Sequence, residues 1–180
     1  MTDDQSIEAG LLALTRKLET VGVQFSDMKD IVRHAVLRLH EERREVYLGY
    51  WLDEKLRLID VCELAIGSST EVIFDTRYIA HRVAAAGAAQ AVFVHNHPSG
   101  NSLPSPEDRQ TAKAIDNALI AIGVFPAAHF VIGNLKAEEI RSGEVVEFVI
   151  RKVDVAICSL CGTALNADRE RTAATSERLP

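Results

Sequence analysis

Three cysteines in 180 residues are too few, and odd in number, for a disulfide-stapled fold. They point to a reducing compartment where thiols stay free or hold metal, so the expected location is the cytoplasm. Long apolar runs are also missing: no uninterrupted stretch approaches the ~18 residues of a membrane span. The opening Met1-Thr2-Asp3-Asp4 is acidic where an export signal would be basic, and neither insertion nor export is expected. A basic excess is lacking as well. Twenty Lys and Arg stand against 26 Asp and Glu, a net charge of −6, and such a field repels a phosphate backbone. Nucleic acid is therefore disfavoured as a partner and would need a local patch. No internal repeat is visible. What remains, 47% apolar and 26% charged residues, excludes wholly disordered and collagen-like chains, and the length allows one domain with short appendages.

Residues 5–20 carry Ile7, Leu11, Leu12, Leu14 and Leu18 at loosely helical spacing, a short helix ending near Gly22. Ser26-Asp27 reads as a cap before Ile31, Val32, Ala35, Val36 and Leu39, one apolar face of a helix reaching about Glu42. The other face carries Arg33, His34, Arg38, His40, Arg43 and Arg44. It is the one candidate phosphate patch, although a solvated helix face explains it more plainly. From Glu45 the period changes. Val46–Leu52 is β-branched and aromatic, too short for a helix, and reads as a buried strand. Asp53-Glu54-Lys55 turns the chain into a second strand over residues 56–63, and Gly67-Ser68-Ser69 closes the hairpin. Asp75-Thr76 caps an alanine-rich helix through Ala88, and Ala91–Val94 is a short central strand feeding into His95. The loop 96–104 holds two prolines and a glycine, so no regular element persists through it. Ser105, Pro106, Glu107 and Asp108 then open a helix expected to reach Ile122 and stop at Gly123. Strands around 129–132 and 145–150 complete a mixed set of about three helices and five strands.

The chemistry lies where the central strand ends. His95 and His97 are two apart, and in extended backbone residues i and i+2 point to the same side, so both imidazoles can grip one ion. Asp108 falls in the first turn of the next helix, and the intervening loop is long enough to return its carboxylate to the strand end. Taken singly, each residue has a plain structural explanation, Asp108 as a carboxylate in the positive field of a helix N-terminus. Taken together, two His and one Asp suit Zn²⁺ and leave the fourth tetrahedral position for water, as catalytic zinc does. Asn96, between the two histidines, is expected to face the other way and contribute backbone order.

The string Val94-His95-Asn96-His97-Pro98-Ser99-Gly100, followed by Pro104-Ser105-x-x-Asp108, resembles the signature of the RadC-like branch of the JAMM (MPN+) metalloprotease superfamily. The resemblance extends from about Ser26 to Gly133. It implies a single JAMM/MPN-type α/β domain with a mixed β-sheet flanked by helices, in cytidine-deaminase-like layering. It also implies that His95, His97 and Asp108 hold one zinc per chain, that Ser105 positions or stabilises the substrate carbonyl, and that a Glu on an earlier strand is the general base. Spacing leaves that Glu open among Glu41, Glu42, Glu45, Glu54, Glu63 and Glu71. The family's Glu introduces a hydrophobic strand, which favours Glu45, directly before Val46-Tyr47-Leu48, with Glu42 next. Such a base must take the proton of the attacking water and return it to the leaving amine. Ser105 also reads as a helix cap, and the two roles are compatible. His129 stands where the family often has Asp-His; with Ala128 in place of the Asp it is read as structural. Many RadC-type proteins carry a helix-hairpin-helix ahead of the domain. The roughly 25 residues before Ser26 are too few to hold one, so DNA contact by that route is not expected.

Cys158-Ser159-Leu160-Cys161 is half of a zinc-ribbon pattern whose other pair is missing. Ordinary free thiols are the first reading, ahead of a Cys₄ zinc site shared across a homodimer or a redox pair. The expected organisation is an N-terminal helical extension at 1–25, the RadC-like JAMM domain at 26–150, and a partly disordered tail at 151–180. The expected function is that of a zinc metallopeptidase or isopeptidase-type hydrolase acting on a protein or peptide. The alternative is an accessory protein of DNA repair or recombination with a structural or vestigial metal site.

Overall fold

In a pleated strand successive side chains point to opposite faces, and this alternation sorts the core of the protein in two. The computed structural model describes residues 21–39, 42–67 and 75–148, with two short strands at 156–157 and 164–165. Helix α1 (Met28–Leu39) is followed by strands β1 (Glu45–Leu52) and β2 (Leu58–Gly67), helix α2 (Thr76–Ala85), strand β3 (Gln90–Asn96), helix α3 (Pro106–Ala121) and strands β4 (Phe125–Gly133), β5 (Lys136–Glu139) and β6 (Val145–Glu147). The six strands form one mixed sheet in the order β2-β1-β3-β4-β5-β6. Only β3 and β4 are parallel, and α3 makes the crossover that parallel neighbours require. The α/β class implied by the sequence is the one observed.

Even-numbered residues Val46, Leu48, Tyr50, Leu52, Val92, Val94, Phe130 and Ile132 pack on Ile31, Val32, Ala35, Val36 and Leu39 of α1. Odd-numbered Tyr47, Trp51, Ala91 and Phe93 pack on Ile79 and Val83 of α2 and on Ile115 and Leu119 of α3. A helix of 12 residues is marginal alone in water. The burial of each large apolar side chain, worth roughly 1.5–3 kcal/mol, is what holds α1 in place. The second compact unit, Val149–Pro180, contains the antiparallel pair β7 (Ala156–Ile157) and β8 (Ala164–Leu165).

Several expectations are corrected. The pattern puts His34 on a solvated basic face, but His34 is fully buried, its Nδ1 2.7 Å from the Tyr50 hydroxyl. It lies three residues after Ile31 and so belongs to the apolar stripe. Arg38, on the same presumed phosphate face, pairs with Glu63 of β2 at 2.8 Å. Leu56 sits in the turn with φ of 59°, outside β2. Helix α2 stops at Ala85 instead of Ala88. Strand β4 is longer than expected and β5 was not anticipated at all. Pro126-Ala127-Ala128 and Lys136–Glu139 have little intrinsic strand preference, and pairing with their neighbours overrides it. Strand β6 spans Val145–Glu147, with residues 149–150 outside the described residues. The N-terminal helix at 5–20, Cys158, Cys161 and most of the tail at 151–180 also lie outside them.

Candidate metal centre

His95 is part of β3, not a residue beyond it, and the pairing of Tyr47 with His95 sets the rest of the site. Continuing that register places Glu45, the first residue of β1, opposite His97 on the same odd-numbered face. Asp108 arrives from the third residue of α3. Glu45, His95, His97 and Asp108 each offer one donor atom to a group whose members all lie within 4.8 Å of one another. The His95 and His97 Nε2 atoms are 3.3 Å apart. Asp108 reaches both, Oδ1 lying 3.1 Å from His95 Nε2 and Oδ2 3.3 Å from His97 Nε2.

Each side chain is held from behind. The start of α3 is a capping box: the Asp108 N–H donates to Ser105 Oγ at 3.1 Å, and the Ser105 N–H donates back to Asp108 Oδ2 at 2.7 Å. The Ser105 hydroxyl also donates to Asp108 Oδ2 at 2.6 Å. His97 Nδ1 lies 2.9 Å from the Asn101 carbonyl oxygen. A carbonyl only accepts, so Nδ1 carries a proton in either state of the ring; Nε2 donates to Asp108 when the ring is an imidazolium and presents its lone pair to the cluster when the ring is neutral. His95 is 1% exposed and its ring stacks on Tyr47, centroids 4.9 Å apart. Its Nδ1 has no hydrogen-bond partner among the described residues. Asn96 turns to the opposite face as expected. Its side chain accepts from the Val46 N–H at 2.8 Å and donates to the Glu42 and Arg44 carbonyls at 3.2 and 2.9 Å. The residue between the two histidines thus ties down the segment that delivers Glu45.

Electrostatics bias the cluster toward a cation. Burial works against ionisation of Asp108, but hydrogen bonds from His95, His97 and Ser105 hold its carboxyl well below the ordinary range. The hydrogen bond to Asp108 raises the pKa of His97 against the opposing effect of burial, helped by the Asn101 carbonyl and the charge of Glu45. Burial, reinforced by Asp108, Asp116 and Glu45, keeps the Tyr47 phenol protonated. Two carboxylates and two imidazoles converging on one point form a donor set for a divalent metal.

Of the alternative bases, Glu42 turns away. Its carboxylate takes Arg44 at 3.0 Å on both oxygens, and those hydrogen bonds bring its pKa to about 2. Glu54 and Glu63 stand outside the cluster, and Glu41 and Glu71 fall outside the described residues. His129 is buried with Nε2 2.8 Å from Asp116 Oδ1, and its ring stacks on Phe93. The carboxylate that Ala128 lacks comes instead from α3. Cys62 is half-buried in β2, and burial pushes its thiol pKa up. Sequence reasoning missed Tyr47 and the Asn101 carbonyl. The alternation that puts Tyr47 two residues from Glu45 was available; a backbone carbonyl leaves no trace in side-chain identity.

A mixed α/β sheet thus gathers His, Asp and Glu donors at the ends of β1, β3 and α3 into a group that could hold a metal ion. The RadC-like JAB domain matches residues 25–144, and the chain belongs to that family. A UPF0758 protein of Xylella fastidiosa is 34% identical over 131 residues, 71% of this chain and 58% of the relative. One from Nitrosomonas eutropha is 32% identical over 128 residues, 71% of this chain and 57% of the relative. One from Burkholderia cenocepacia is 37% identical over 97 residues, 54% of this chain and 38% of the relative. The chain thus spans between about two fifths and three fifths of the length of these curated relatives. No helix among the described residues is long and apolar enough to cross a membrane.

Proposed function

We propose that the protein is a zinc-dependent hydrolase of peptide or isopeptide bonds in a protein or peptide substrate. The observation that carries this reading is the spacing of the donors. With ligand bonds of about 2.0–2.1 Å, the edges of a tetrahedral zinc site measure roughly 3.3 Å; the His95 and His97 Nε2 atoms are 3.3 Å apart, and Asp108 sets one carboxylate oxygen 3.1 Å from the first and the other 3.3 Å from the second. The Nδ1–H tautomer of His97 leaves the ligating nitrogen free, which fits the same assignment. Bound there, zinc supplies Lewis acidity and lowers the pKa of a coordinated water to about 7.

Glu45 is the base in this reading. It shares the face of the two histidines, and it takes the proton of the attacking water and passes it to the leaving nitrogen. Asn96 holds the backbone on either side of Glu45, which limits how far that carboxylate can wander. The one O–H proton of Ser105 sits on Asp108 Oδ2, so stabilising a developing oxyanion requires the hydroxyl to rotate toward the substrate carbonyl.

The test is zinc content measured together with turnover. The unaltered protein, screened against a peptide and isopeptide library, is expected to bind about one zinc per chain and to cleave at least one member. Glu45→Gln is expected to keep the zinc and lose at least about a hundredfold in turnover, since an amide cannot shuttle a proton. A protein that holds no zinc, or a Glu45→Gln variant that cleaves at the original rate, overturns the assignment.

A further inference from the structure

The loop between the second histidine and α3 does more than connect them, because it carries the carbonyl that selects the tautomer of His97. It is seated on β4 at one point. The His97 N–H donates to the Ile132 carbonyl at 2.8 Å, and the Gly100 N–H returns to the His97 carbonyl at 2.9 Å. The backbone of residues 100–102 then lies directly over Gly133, the last residue of β4. A Cβ at Gly133 would fall on the Ser102 amide nitrogen and the Asn101 carbonyl carbon, and 2.6 Å from the Gly100 carbonyl oxygen. All three obstacles are backbone atoms, which cannot swing aside as the tip of a side chain can. The φ of Gly133 is not in the left-handed region, in contrast to Gly100 at +81°, so steric room and not backbone conformation is what position 133 demands.

We propose that Gly133 is a positioning residue for the metal centre: the absence of a side chain there lets the 100–102 backbone rest on β4, and that seat holds the Asn101 carbonyl on His97 Nδ1. The inference rests on the metal-site reading above. A methyl group at 133 must push the loop out by roughly 1 Å to restore ordinary contact. A 2.9 Å hydrogen bond stretched by that much is no longer a hydrogen bond. His97 then loses the acceptor that keeps its proton on Nδ1, and Nε2 no longer presents a reliable lone pair. Loss of such an outer partner typically lowers metal affinity 10–100-fold. A purely structural glycine would lower stability and leave the His97 tautomer and the zinc affinity alone.

The experiment compares unaltered protein, Gly133→Ala and, as a control on the other face of the sheet, Leu48→Ala. Zinc affinity is measured by chelator competition, and the His97 tautomer by nitrogen-15 NMR of the metal-free protein in alkaline solution. Gly133→Ala is expected to bind zinc 10–100-fold more weakly and to lose the Nδ1–H signature, while Leu48→Ala keeps both. If Gly133→Ala does not fold, Gly100→Ala strains the same loop through its backbone, because the φ of +81° there is one that L side chains rarely adopt, and is expected to show the same two changes. Zinc affinity within twofold of the unaltered protein, or an unchanged tautomer, overturns the role of Gly133 while the metal site stands. Failure of the unaltered protein to bind zinc overturns both.

Discussion

One sheet has two faces built to different rules. The face under α1 is mainly aliphatic, with Leu48, Leu52, Val92, Val94 and Ile132 buried in one cluster beside Tyr50 and Phe130. The face under α2 and α3 is made of rings. Tyr47 stacks on His95 at 4.9 Å, Phe93 on His129 at 4.8 Å, and Trp51 meets Phe93 edge-on at 5.7 Å. Flat rings hold imidazoles in fixed orientations while leaving their nitrogens to find polar partners, which branched aliphatic chains do not do. The same strands therefore supply stability on one side and a rigid frame for chemistry on the other. The centre opens where the odd-numbered residues emerge at the strand ends.

The sharpest way to test this division is to remove one residue from each face. His97→Ala is expected to lower zinc affinity by at least about a hundredfold and to leave the melting temperature of the metal-free protein nearly unchanged. Leu48→Ala, on the aliphatic face, is expected to cost about 2–5 kcal/mol of stability and to leave zinc affinity unchanged. Calorimetric melting with chelator competition reads both, and a reversed pattern would break the comparison. A smaller effect is expected at the junction of the two roles. Ser105→Ala removes the cap of α3, at about 1 kcal/mol, and frees Asp108 Oδ2 from one hydrogen bond, which denaturant melts of the metal-free protein will register.

The smallest effect concerns Glu139, which pairs with Phe130 and so lies at the far edge of the face under α1. Burial disfavours its charge, but the N–H groups of Ser142, His129 and Arg141 and the Arg141 side chain outweigh that, so its pKa lies below the ordinary 4.5. A depressed carboxylate contributes stability that is complete above the unfolded value and is lost as pH falls through the folded one. The stability gap between the unaltered protein and Glu139→Gln is therefore expected to be flat near neutrality and to close below about pH 4.5. Urea melts across that range check it; a gap that widens in acid reverses the sign.

The legibility of the sequence varied with how local the cause was. The start of α3 was readable because Ser105, Pro106 and Asp108 act on their own helix, and Gly123, with φ of +77°, ends it for an equally local reason. Strand β1 was readable from its run of β-branched and aromatic residues, and the His-x-His spacing carried the chemistry to one side of β3. Strand β5 was not readable, since Lys136–Glu139 becomes a strand only beside β4. Nor was the burial of His34, which Tyr50 on another element makes tolerable.

By itself the sequence determined which residue types could meet, because the two-residue period of a strand and the cap of a helix are set by neighbours along the chain. It placed His95, His97 and Asp108 on elements whose ends could converge, and it left Glu45 as one glutamate among several. Only the tertiary structure brings one of them, Glu45, into the cluster with the histidines. The antiparallel register that pairs Tyr47 with His95 brings Glu45 to the histidines, while Glu42 is taken up by Arg44. That arrangement depends on strand pairing and on contacts between residues some fifty positions apart, such as Asn96 with Val46. Contacts at that separation are stabilised by packing and hydrogen bonding once the chain has closed on itself, and no local preference encodes them.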